Sequence, residues 1–295
     1  MYKEHKTRTT SVVLVFYCVL YFFLLQYPYF IIYIDSSGDF MIANYHTHTT
    51  RCNHAVGLER EYVENAMTMG LKILGFSDHT PYIFPGDYYS HFRMKLDQLG
   101  DYVESVLSLR KEYAGRIEIP LGLELEFYPK LLPQLLPILQ DLPIDYLIMG
   151  QHFIGNEIDE PYSGWPTEDN RILERYVDQT IEGMYSGLFT YFAHPDLIHF
   201  LGDDKVYRQQ MRRLCQAAKN CDMPLEVNLL GMMEGRIYPN RLFWELAAEE
   251  GCSVVLGRDA HAPKHILDIK TETRCLELVR NFDLNLLETV PLKSI

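Results

Sequence analysis

The sequence lacks the paired cysteines of a disulfide scaffold. Its 295 residues include six cysteines, with no CxxC pair and no regular spacing. So few cysteines in so long a chain are typical of a reduced protein, and we therefore expect a cytoplasmic location. Charged residues, at 23%, are too few for a disordered tail protein, whereas an apolar content of 47% is enough for one large core.

Basic residues are also scarce. The chain has 27 of them against 40 acidic residues, which gives a net charge of −13. This balance argues against nucleic acid as the main partner, because nothing would offset the repulsion of a phosphate backbone over a broad surface. No basic stripe interleaved with aromatic residues is present either. A small phosphate ester held by metal ions is still compatible with the composition.

Glycine-rich phosphate-binding loops are absent. No GxGxxG or GxxxxGKS/T sequence follows the first predicted strand, which counts against a doubly wound nucleotide-binding sheet. Short apolar strands instead alternate with amphipathic helices, a pattern that predicts parallel pairing and right-handed crossovers. Seven such units in about 250 residues favour a closed barrel in a single domain. The predicted strands are 42–46, 72–77, 116–124, 145–150, 189–193, 225–228 and 253–257.

An apolar run over residues 11–34 precedes this pattern. Its length and its basic flank are typical of a membrane anchor, but a glutamine and a proline interrupt it. Met41 stands directly before the first predicted strand, where a start codon would suit the fold. We expect residues 1–40 to be an extension, either from a start assigned too early or, alternatively, a membrane anchor. Residues 41–295 are expected to form the functional domain without membrane contact.

Seven of the eleven histidines fall at or just past the ends of predicted strands. They are His46, His48, His54, His79, His152, His194 and His261. Glu124 ends the third strand and Asp259 follows the seventh. In a parallel barrel these strand ends meet on one face, where the active sites of such folds lie. Seven imidazoles and two carboxylates exceed the needs of one tetrahedral zinc, and would fit about two or three ions.

The sequence around these residues resembles the ordered motifs of the polymerase-and-histidinol-phosphatase (PHP) family. The motifs are His46-Thr47-His48 with His54, Ser77-Asp78-His79, Gly122-Leu123-Glu124, Gly150-Gln151-His152, Ala193-His194-Pro195-Asp196 and Arg258-Asp259-Ala260-His261. The resemblance implies a distorted (β/α)7 barrel with its metal site at the C-terminal ends of the strands. It also implies hydrolysis of phosphate esters with up to three zinc, manganese or iron ions.

The same resemblance implies roles for individual residues. One ion would be held by His46, His48, Glu124 and Asp259, with Glu124 bridging to a second ion. The remaining ions would be held by His54, His79, His152, His194 and His261. We expect Glu124, Asp259 and His261 to be the catalytic residues.

Residues 226–228 and 235–239 resemble the histidinol-phosphatase branch of the family. That branch removes phosphate from L-histidinol phosphate in histidine biosynthesis, so the resemblance implies a small-molecule phosphate ester as substrate. Two other interpretations are open: a family phosphoesterase that acts on nucleotides or other small esters, and a non-catalytic metal-binding module. The complete ligand set counts against the module.

Two positions depart from the pattern of that branch. Residues 229–233 read Leu-Leu-Gly-Met-Met, where a loop arginine able to hold phosphate is usual, and Arg258 replaces a serine. We expect Arg93, Arg236 or Arg258 to bind the phosphate instead, because a guanidinium offers paired planar donors.

Overall fold

The structure is a computed structural model that describes residues 40–158 and 161–295. The apolar run over residues 11–34 lies outside the described residues. Among the described residues, no helix is both long enough and apolar enough to cross a membrane.

Seven parallel strands form the central sheet, and neighbours along the chain are neighbours in space. A separate parallel pair precedes them. The pair consists of β1 (Ala43–Asn44) and β2 (Ile73–Leu74). The sheet consists of β3 (Phe76–His79), β4 (Leu121–Leu125), β5 (Tyr146–Gly150), β6 (Tyr191–Ala193), β7 (Leu225–Asn228), β8 (Ser253–Gly257) and β9 (Asn285–Leu286). The prediction of an α/β fold with a parallel sheet is confirmed.

Helices connect the strands, as parallel pairing requires. In chain order they are α1 (Glu59–Thr68), α2 (Leu99–Glu112), α3 (Leu132–Gln140), α4 (Asn170–Tyr185), α5 (Asp204–Asn220), α6 (Leu229–Glu234), α7 (Arg241–Glu249), α8 (Pro263–Ile266) and α9 (Ile269–Asn281). Side-chain caps begin several of them: Asp169, Asp203 and Asn240 each accept a hydrogen bond from a backbone N–H of the first turn. Such caps satisfy amides that have no partner inside the helix.

Alternate residues of the strands belong to two different cores. Leu123 and Leu147 pack in the large core that includes the buried faces of the helices. Tyr146 and Ile148 pack in a second, smaller core. Because successive side chains of a strand point to opposite faces, the smaller core marks the inner face of the sheet. Glu124, paired in register with Ile148, therefore lies on that inner face.

Hydrogen bonds also join the segment after β1 to both β3 and the end of β8. Ser77 N donates to Thr47 O at 2.9 Å, and Ala260 N donates to His46 O at 3.2 Å. His48 N donates in turn to Ala260 O at 3.0 Å. These bonds hold His46 and His48 beside two strands that are far apart in sequence.

The strand boundaries differ in places from the predicted ones. The predicted strand 72–77 is divided into β2 and β3 at Gly75, where a β-carbon would overlap the Tyr146 hydroxyl. The strand predicted from residue 116 begins at Leu121, directly after Pro120, which has no N–H to donate to a neighbouring strand. β9 was not predicted, since two residues are too few to show a periodicity.

Candidate active site

The predicted metal ligands form a polar cluster at the C-terminal ends of the strands. β4 carries Glu124 on its inner face, and β7 carries Glu226 on the same side, because Leu225 and Val227 face the large core. His79 ends β3, and His194 directly follows β6. Both carboxylates are fully buried.

The structure brings all nine predicted ligand residues together. His194 Nε2 lies 3.0 Å from Glu124 Oε1, and His79 Nδ1 lies 3.0 Å from Glu124 Oε2. Other close pairs are His46 Nε2 and His48 Nε2 at 3.1 Å, His48 Nε2 and Asp259 Oδ1 at 3.2 Å, His54 Nε2 and His261 Nε2 at 2.9 Å, and His152 Nε2 and Glu124 Oε1 at 3.6 Å. Imidazole and carboxylate atoms at such spacing form several triads that could each hold a cation.

Four of these imidazoles point Nε2 inward because Nδ1 is engaged elsewhere. The acceptors are Glu226 for His46 and Glu126 for His152, both at 2.8 Å, and the backbone carbonyls of Cys52 for His54 at 2.8 Å and Asp259 for His261 at 2.9 Å. With the proton on Nδ1, the Nε2 lone pair is left free toward the centre of the cluster. Histidines that bind metals share this arrangement.

Buried atoms at the centre have no hydrogen bond. Within residues 40–158 and 161–295, these include His194 Nδ1 and the pair Glu124 Oε2 and His79 Nδ1, which lie 3.0 Å apart without hydrogen-bonding geometry. A buried polar atom left unpaired costs about 1–3 kcal/mol. Divalent ions would satisfy such atoms, and a mixed set of imidazoles and carboxylates suits zinc, manganese or iron. The residues present therefore fit a metal centre.

The electrostatics favour a bound cation. Burial raises the pKa of Glu124, but the imidazoles of His79 and His152 outweigh it and hold that pKa well below its usual range. Burial likewise raises the pKa of Asp259, but the imidazoles of His46 and His48 outweigh it and hold that pKa well below its usual range. In the opposite direction, burial lowers the pKa of His46, while Glu226 and Asp259 raise it to about 10. The carboxylates thus stay ionised and stabilise positive charge.

A cavity of about 270 Å³ opens over the cluster. Phe92, Phe153 and Tyr162 form an aromatic wall, and the rings of Phe92 and Phe153 are stacked with centroids 5.8 Å apart. Arg236 supplies a cationic side chain to the lining, next to Tyr238. Polar groups at the base and aromatic rings at the side are typical of small-molecule sites.

Residues 44–229 match the family model of the PHP domain. The chain belongs to the PHP domain family. The resemblance read from the motifs is confirmed. Asp259 and His261 lie outside the matched stretch, and the structure places both of them in the cluster.

Relatives of this PHP chain include the probable histidinol-phosphatase of Deinococcus radiodurans, which is 31% identical over 238 residues, covering 75% of this chain and 86% of that protein. A probable histidinol-phosphatase of Schizosaccharomyces pombe is 22% identical over 250 residues, covering 75% and 81%. Among solved structures, histidinol phosphate phosphatase from Lactococcus lactis, complexed with zinc, L-histidinol and phosphate, superimposes with a TM-score of 0.67 at 18% identity. That superposition covers 85% of this chain and 98% of the other, and it shows a shared fold.

Three arginines were predicted to bind phosphate. Among the described residues that line the cavity, Arg236 is the only one of the three. Its NH1 donates to the Tyr238 hydroxyl and its Nε donates to Glu234, both at 2.7 Å. Arg93 and Arg258 are each 1% exposed and form ion pairs with buried carboxylates. These positions do not support a role for Arg93 or Arg258 in phosphate binding, because no face of either guanidinium is open to the cavity.

Two glycines, Gly150 and Gly257, and two further carboxylates, Glu126 and Glu226, also belong to the site. The sequence alone did not assign any of these four residues a role in the site. A β-carbon at Gly150 would overlap the Glu124 carboxylate, and one at Gly257 would overlap Glu226. Glu226 was visible only as part of a branch motif, and Glu126 only as a second acidic residue two positions after Glu124. A glycine on an inner face beside a buried acid is the signal that could have found them.

Proposed function

We propose that this chain is a metal-dependent phosphomonoesterase that hydrolyses L-histidinol phosphate to L-histidinol and phosphate in histidine biosynthesis. The observation that carries the proposal is the gathering of seven imidazoles and two carboxylates beneath one cavity. Relatives named as histidinol-phosphatases over most of both chains support the substrate.

The nine clustered residues are proposed to hold about two or three divalent ions, of zinc, manganese or iron. His46, His48, Glu124 and Asp259 would hold one, and Glu124 would bridge to the next. The other ligands would be His54, His79, His152, His194 and His261. When bound, such ions neutralise phosphate oxygens and lower the pKa of a coordinated water to about 7.

Residues of the cavity are proposed to bind and orient the substrate. Arg236, held by Glu234 and Tyr238, presents donors to the phosphate oxygens. Phe92, Phe153 and Tyr162 would pack against the flat ring of the leaving group and exclude water around it. Glu124, Asp259 and His261 are the proposed catalytic residues, because they lie where the phosphate would meet the ions.

The barrel and the domain boundaries belong to the same proposal. The strands would close into a distorted (β/α)7 barrel through the segment after β1, whose backbone bonds to Ser77 and Ala260 support closure. Residues 41–295 would be the phosphatase domain and residues 1–40 an extension. A cytoplasmic location is supported by five free cysteines in the described part of the chain.

Phosphate release measured over a panel of monoesters tests the substrate. With metal-reconstituted protein, we expect kcat/KM for L-histidinol phosphate to exceed that for unrelated monoesters by at least about tenfold, or about 1.4 kcal/mol in transition-state binding. A flat profile or a preference for nucleotides would contradict the proposal.

A further inference from the structure

Arg93 lies at the centre of a buried ion-pair network below the aromatic wall. Its NH2 donates to Glu126 Oε1 at 2.8 Å, and its NH1 donates to Glu126 Oε2 at 3.0 Å and to Thr80 O at 2.9 Å. NH2 also pairs with Glu157. Arg93 and Glu126 are almost completely buried. Paired, planar donors of this kind fix the orientation of a carboxylate.

Glu126 has a second contact, with the metal cluster. Its Oε1 accepts a hydrogen bond from His152 Nδ1 at 2.8 Å. Because an ionised carboxylate only accepts, His152 must carry its proton on Nδ1, and its Nε2 is then free. That Nε2 faces Glu124 Oε1 at 3.6 Å. Glu126 therefore determines the orientation and the tautomer of His152, although Glu126 itself does not line the cavity.

The network also joins three loops. Arg93 lies in the segment after β3, Glu126 directly follows β4, and Glu157 lies in the segment after β5. The Arg93 guanidinium lies 4.5 Å from the ring centroid of Phe92, which belongs to the cavity wall. The Arg93 guanidinium thus contacts both Glu126, the partner of His152, and Phe92 in the aromatic wall of the cavity.

We propose that Glu126, held by Arg93, is a positioning residue that prepares His152 to bind a metal ion. The proposal rests on the metal site proposed above, but not on its substrate. It also assigns Arg93 a role in place of phosphate binding, namely to hold the Glu126 carboxylate in its position.

A double-mutant cycle on zinc affinity tests this proposal. Zn²⁺ alone is titrated against a chelator of known affinity, and the dissociation constant of the most weakly held ion is measured without substrate. We expect Glu126→Ala to raise that dissociation constant at least about tenfold, which is the usual effect of removing a residue that orients a metal ligand. In a His152→Ala background the same change should have an effect of less than about twofold, because the coupled partner is gone.

Conservative variants separate positioning from general destabilisation. Glu126→Gln keeps one acceptor oxygen, so it should bind zinc more tightly than Glu126→Ala does. If Glu126→Ala does not fold, Glu126→Gln replaces it in the cycle. Asp145→Asn is the matched control: Asp145 also pairs with an arginine, Arg110, but directly precedes β5, at the opposite end of the strands. It should leave zinc affinity unchanged. Equal losses in both His152 backgrounds, or no loss on changing Glu126, would overturn the proposal; a negative substrate panel would not affect it.

Discussion

Two glutamates at the end of β4 have different partners, although they are two residues apart. Glu124 contacts His79 and His194 and has a carboxylate oxygen without a hydrogen bond. Glu126 instead accepts hydrogen bonds from Arg93 and His152. The strand period places both on one face, but only the first points into the cluster.

This difference predicts different outcomes for isosteric substitutions. Glu124→Gln should abolish turnover and lower the bound metal, because it removes the charge of the residue proposed to bridge two ions. Glu126→Gln should leave measurable activity when metal is saturating, since it changes only the support of one imidazole. Elemental analysis and phosphate release on both purified variants check this. Equal losses in the two variants would show that the glutamates are assigned wrongly.

For single residues, the sequence predicted the metal-binding candidates more readily than the partners of the arginines. Histidines at predicted strand ends could be grouped, because parallel strands bring their ends to one face. Arginines could not be placed in this way: Arg93 and Arg236 both lie in loops, and only the structure distinguishes an internal ion pair from a cavity side chain. Long side chains from loops have no periodicity that reveals their direction.

At the scale of elements, glycines on neighbouring strands leave the space that the buried acidic side chains occupy. Gly150, the last residue of β5, leaves the space that the Glu124 carboxylate occupies on β4. Gly257 does the same for Glu226. A β-carbon at either glycine would overlap the carboxylate beside it.

We therefore expect Gly150→Ala to displace Glu124 and to reduce both bound metal and activity by at least about tenfold, the loss that misplaced metal ligation produces. The control is Gly100→Ala in α2, where a β-carbon has open space. Because alanine favours helix by up to about 1 kcal/mol, that control should keep full activity and unfold at the same or a higher temperature. Matching metal content in the two variants would contradict the proposed role of Gly150.

The elements themselves were largely predictable. Buried strands follow from short apolar runs, and amphipathic helices from apolar residues three or four positions apart: in α4, Leu173, Tyr176 and Val177 are buried. Less predictable was the division of one predicted strand at Gly75, where a β-carbon would overlap the hydroxyl of Tyr146, a residue far away in sequence. Tertiary contacts of this kind leave no local signal.

For the molecule as a whole, the backbone of Met41 is bonded to a buried ion pair. Met41 N donates to Glu272 Oε1 at 2.6 Å, and Glu272 pairs with the buried Arg258 directly before Asp259. An α-amino group at Met41 would keep this bond and add a positive charge to it.

We therefore expect a chain beginning at Met41 to fold and to be as active as the longer form, as measured by thermal unfolding and phosphate release. N-terminal sequencing of the native protein should find its first residues near Met41. Peptides from residues 2–40, or activity confined to a membrane fraction, would show this prediction to be wrong.

For the whole molecule, the cluster of imidazoles and carboxylates predicts that hydrolysis depends on bound metal ions. The most direct measurement combines elemental analysis with hydrolysis of L-histidinol phosphate before and after chelation. We expect about two to three metal equivalents per chain, loss of activity on chelation, and recovery when the ions are restored. Full activity in protein shown to be metal-free would contradict the claim.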